Sequence, residues 1–88
     1  MSVSETLIEF PCRFPIKATG RADERFAAVV VEIVRRHAPR IDESAVTSRA
    51  SSGGKWLAVT VTIEAESRAQ LDAIYRDLTD HPQVVWAL

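Results

Sequence analysis

Few residues of this 88-residue chain could do chemistry beyond packing: His37, His81, Cys12, and a glycine-lysine run at Ser52, Gly53, Gly54 and Lys55. Hydrolytic or transfer chemistry needs a nucleophile beside a base, or paired acids in a cleft. His37 closes an apolar helical stripe and His81 precedes Pro82 in a connection. Neither has a Cys, Asp or His at metal-ligand spacing, so no catalytic set, metal or cofactor is expected. Cys12 is the single cysteine, which excludes an internal disulfide and leaves a small buried thiol as its simplest reading. The Ser52–Lys55 run has the composition of a phosphate loop, but Trp56 stands where that loop needs Ser or Thr. A strand follows it rather than a helix N-terminus, so it reads as a hairpin turn. Gly20, Arg21 and Ala22 lie between a strand and a helix, where backbone amides could hold a carboxylate or phosphate; a plain glycine turn is the simpler account.

The elements that position these residues are more legible than the chemistry. From Trp56 to Ala65, Leu57, Val59, Val61 and Ile63 alternate with Trp56, Ala58, Thr60 and Thr62. That period of two marks a strand with one buried face, and its β-branched residues suit a pleated surface. Phe14, Ile16 and Ala18 alternate with Pro15, Lys17 and Thr19 in a first strand that ends at Gly20. Asp23 is the expected N-cap of a helix whose stripe is Phe26, Val29, Val30, Ile33, Val34 and His37, with Pro39 stopping it at about Ala38. Ser44–Ala50 is a half-polar edge strand, joined to the central one through Ser51–Gly54. Ser67 and Gln70 stand three apart, as in a capping box, before the helical stripe Leu71, Ile74, Tyr75 and Leu78. Glu32–Arg36 and Asp72–Arg76 have the spacing of helical ion pairs. Val84–Leu88 is a last strand, with Val84, Trp86 and Leu88 expected inward.

Strand, helix, strand, strand, helix, strand is the order of an α+β ferredoxin-like sandwich: a four-stranded antiparallel sheet with two helices on one face. The whole chain, 1–88, is expected to form this one domain, with residues 1–13 an N-terminal extension docked on its body. The other sheet face is left bare. Lys17, Thr19, Thr47, Arg49, Trp56, Ala58, Thr60, Thr62, Val85 and Ala87 are its expected members.

Composition narrows the function classes. The chain is 47% hydrophobic and 26% charged, the balance of an ordinary globular domain, and no apolar run is long enough to span a membrane. Met1 to Glu9 lacks the basic and apolar regions of a secretory signal, so a cytoplasmic location is expected. Eleven basic against twelve acidic residues give a net charge of −1, with no global attraction for a polyanion. An RNA-recognition sheet would also show two or three outward aromatics, whereas Trp56 alone is expected outward here; nucleic acid is not the expected partner.

Glu9, Phe10, Pro11, Cys12, Phe14, Pro15, Ile16, Lys17 and Gly20, with His37, Ala38, Pro39 and the Ser51–Lys55 turn, resemble the YbeD-like, or lipoate-regulatory-protein-like, family of small bacterial proteins. The resemblance implies an ACT-like regulatory sandwich and an association with lipoate attachment and synthesis, but no catalytic residues. The resulting expectation is a non-enzymatic regulatory or adaptor module. It would bind a small ligand or protein partner through Lys17, Arg49 and Trp56 on the bare face, through Gly20 and Arg21, or through Gly53, Gly54 and Lys55. Homodimerisation through sheet edges or faces is the first alternative, and an RNA-binding module ranks behind it.

Overall fold

The alternation at residues 56–65 does form the axis of the protein. The computed structural model describes residues 9–87, and in it β1 (Cys12–Arg21) and β3 (Trp56–Ala65) pair antiparallel along their whole length, from Cys12 opposite Ala65 to Arg21 opposite Trp56. β2 (Val46–Ala50) pairs with the outer edge of β3, and β4 (Val84–Ala87) with β1, giving the order β2-β3-β1-β4. Helices α1 (Phe26–His37) and α2 (Arg68–Asp80) complete a βαββαβ, ferredoxin-like fold. No helix among the described residues is long and apolar enough to cross a membrane.

The core is the layer between helices and sheet. Ile16 and Ala18 of β1 and Val59, Val61, Ile63 and Ala65 of β3 are buried against Phe26, Val30, Ile33 and Val34 of α1 and Leu71, Ile74 and Leu78 of α2. They belong to the inward sets that the two periodicities predict, of which Phe14, Val29, Leu57 and Tyr75 are only partly buried against the core.

Several local expectations are corrected. β1 starts at Cys12, so Cys12 and Arg13 belong to the sheet rather than to an extension; residues 1–8 lie outside those described. Pro15 therefore sits inside a middle strand, opposite Thr62. It is tolerated because β4 pairs only with Ala18, Thr19 and Gly20, leaving β1 open on that side at Pro15. Asp23 does not cap α1: its Oδ1 accepts from the Arg25 amide at 2.7 Å in a tight turn, and the helix begins at Phe26. A 3-10 turn at Glu43–Ala45 delays the edge strand to Val46. Ser67 does cap α2, its Oγ accepting from the Gln70 amide, but the Gln70 side chain returns to the Glu66 amide rather than to that of Ser67. Asp72 pairs backward with Arg68 at 3.5 Å rather than forward with Arg76, whereas Glu32–Arg36 forms as expected at 3.7 Å.

The largest departure is in β4. Ala87 pairs with Ala18 and Trp86 with Thr19, but Val84 pairs with Gly20, so Val85 is an extra residue between two consecutive partners. Such a bulge breaks the alternation. Val84 stays buried, whereas Val85 and Trp86 are both exposed, at 57% and 44%. Trp86 thus faces outward, against expectation; Leu88 lies outside the described residues.

Candidate functional site

The outward bulge places Trp86 on the bare sheet face beside residues already expected there. Side chains directly opposite in an antiparallel ladder share a face. Arg21 faces outward with Trp56, Lys17 with Thr60, Arg49 with Ala58, and Thr19 with Trp86. Lys17, Thr19, Arg49, Trp56, Ala58 and Trp86 line one shallow hollow of about 480 Å³, open to solvent, with Ala50, Ser51 and Ser52 at its rim. Trp56 is 40% exposed, and the Arg21 guanidinium lies 5.9 Å from the centre of its ring, a cation–π distance that steadies the indole. The Thr19 hydroxyl is buried beneath this surface without a hydrogen-bond partner among the described residues.

Other expected positions separate from this face. Gly20 is not part of an open anion-binding turn: it is buried inside β1, against the Phe26 ring and the Gln83 carbonyl. The Ala22 amide donates to the Lys55 carbonyl at 2.9 Å and so is not available to an anion there. Arg21 is the last residue of β1, and its side chain joins Trp56. Gly53, Gly54 and Lys55 form the β2–β3 hairpin turn as read; of the two glycines, Gly54 alone has a positive φ, +71°. Lys55 lies outside the main hollow, in a side recess with Arg21, Gly54 and Trp56.

One polar cluster was invisible to spacing. His37 Nε2 stands 2.6 Å from Asp77 Oδ2, joining residues 40 apart in sequence, and Gln70 Nε2 donates to the His37 carbonyl at 2.9 Å. This clasp ties the end of α1 to α2. No nucleophile hydrogen-bonds to it among the described residues, and they include no cluster of His, Cys, Asp and Glu that could hold a metal. Burial raises the Tyr75 phenol on α2 above its ordinary value of 10.0, in keeping with a packing role.

Residues 5–88 match the family described as Protein of unknown function (DUF493). The chain belongs to this family. DUF493 relatives include a UPF0250 protein of Paraburkholderia phytofirmans, 52% identical over 83 residues that cover 94% of this chain and 93% of the relative. A UPF0250 protein of Chromobacterium violaceum is 50% identical, covering 96% and 94% of the two chains, and one of Nitrosomonas europaea is 45% identical, covering 96% and 97%. The YbeD-like resemblance read from the N-terminal segment and the glycine turn is therefore correct, and none of these names carries an activity. The solution structure of protein HP0495 from H. pylori is similar with a TM-score of 0.69 over 92% of this chain and 85% of that one; at 14% identity the likeness shows the shared fold alone.

Proposed function

We propose that this protein is a non-enzymatic regulatory or adaptor module of the cytoplasm that binds an anionic partner on its open sheet face. The observation that carries this reading is the hollow in which Trp56 and Trp86 lie exposed beside Lys17 and Arg49. Exposed indoles are unfavourable in water and are characteristic of surfaces that meet another molecule, and the flanking cations select its charge. Catalysis plays no part in the proposal, because the His37–Asp77 pair serves as a helix clasp. The lipoate association that the YbeD-like resemblance implies suggests one ligand class to test, since lipoate joins a carboxylate to an apolar ring.

The test is a thermal-shift screen of carboxylate metabolites, lipoate and amino acids included, alongside affinity capture from bacterial cytosol. Both are run on the wild type and on Trp56→Ala and Trp86→Ala. A ligand selective for the native state raises its melting temperature, and that rise, or the capture, disappears in both variants. Stabilisation and capture that persist unchanged in both would place binding elsewhere and end this reading.

A further inference from the structure

The sequence argues against nucleic acid on two grounds, net charge and the number of outward aromatics, and the fold alters both. The net charge of −1 is not evenly spread. Arg13, Lys17, Arg21 and Arg49 face outward on the sheet and Glu64 is the one acid among them, a net of +3, which leaves −4 for the rest of the chain. The single outward aromatic becomes a pair, because the β4 bulge turns Trp86 out. β1 lies between Trp56 on β3 and Trp86 on β4, which lie opposite Arg21 and Thr19, so their backbones stand about 10 Å apart across the sheet and two residues, about 7 Å, apart along it. That separation gives each indole room for its own ring.

From this arrangement we infer that the open sheet face binds single-stranded nucleic acid, with bases stacked on Trp56 and Trp86 and phosphates met by Lys17, Arg21 and Arg49. The inference rests on the sheet-face reading above and names its partner. A face that combines flat rings with cations matches alternating bases and phosphates. An acidic polypeptide would use the same cations, but its apolar side chains would need a deep pocket, and this hollow is shallow with Thr19 and Ala58 in its lining. A second copy of the chain is disfavoured, because a two-fold contact through this face would bring two +3 surfaces together.

The two tryptophans of the chain both lie on this face, so intrinsic fluorescence reads the site directly. The experiment titrates the full chain with oligouridylate and oligothymidylate decamers at several salt concentrations. An acidic Glu/Leu peptide of equal charge and sedimentation of the free protein serve as comparison arms. Expected are quenched emission and a logarithmic salt slope of about −2, roughly 0.7 for each of three phosphates neutralised. Affinity falls about tenfold in Trp86→Ala and is lost in the Lys17→Glu/Arg49→Glu double variant, with melting temperatures unchanged. Quenching by the peptide but not by the decamers overturns the nucleic-acid assignment while leaving the face as the binding surface. Decamer binding untouched by either variant also overturns it. Failure of all probes, together with self-association or with capture insensitive to Trp56→Ala, removes the assignment and the sheet-face reading alike.

Discussion

Gly20 is required by its neighbours and not by its own backbone angles. A Cβ there would overlap the Gln83 carbonyl and come within 2.5 Å of the Phe26 ring, while its φ lies outside the left-handed region. Gly20→Ala is therefore expected to cost about 2 kcal/mol or more through displacement of β4 from β1, read as a fall in the urea midpoint. Gly53 has nothing within 4 Å of the position a Cβ would take, so Gly53→Ala should be neutral or slightly stabilising in the same assay. The sequence marks both as turn glycines; nothing in the local pattern tells that one is pressed against an aromatic ring and a backbone oxygen from across the fold. Tyr75 gives the pH dependence at this scale. Its phenol is raised above 10.0 by burial, so the folded state resists ionisation. Its contribution to stability is complete below about pH 10 and declines as pH rises from there through the raised folded value, because the unfolded chain loses its proton first. Denaturation midpoints measured across that alkaline range should fall less steeply in Tyr75→Phe than in the wild type.

Between elements, the clasp at the C-terminal end of α1 is the polar link whose removal is most informative. Asp77→Ala should cost about 1 kcal/mol, a modest figure because the pair is partly solvated, with side-chain exposures of 27% and 38%. A double-mutant cycle with His37→Ala should show that the two residues are coupled rather than additive. Period-two and period-three-to-four patterns revealed β3 and the inward faces of both helices, since each is set by residues within a few positions of one another. His37–Asp77 was hidden because its partners are 40 residues apart. Strand alternation alone places Trp86 inward, because the bulge depends on which residues of β1 and β4 pair, and no window confined to Val84–Leu88 contains that information. Trp56, Lys17 and Arg49 could be assigned to the bare face because they lie on unbroken alternations.

Across the whole molecule, stability and charge are divided between the two faces of the sheet. Ile33, 2% exposed, packs among residues of β1, β3 and α2, and Ile33→Ala should cost about 3 kcal/mol by chemical denaturation. That is a large share of the stability of so small a domain. The exposed face works in the opposite sense, contributing little to folding and holding the cations together against their own repulsion. Sedimentation at low ionic strength should find no dimer formed through this face; a dimer abolished by Trp86→Ala would contradict that expectation. The bulge also makes the length of the C-terminal arm asymmetric in its tolerance. Deleting Val85 should leave Val84, Trp86 and Ala87 opposite Gly20, Thr19 and Ala18 in an uninterrupted ladder, still displaying the second indole. Straightening the strand with Val85 retained would instead swing that indole beneath the sheet, so one surplus residue governs whether the surface offers one stacking platform or two.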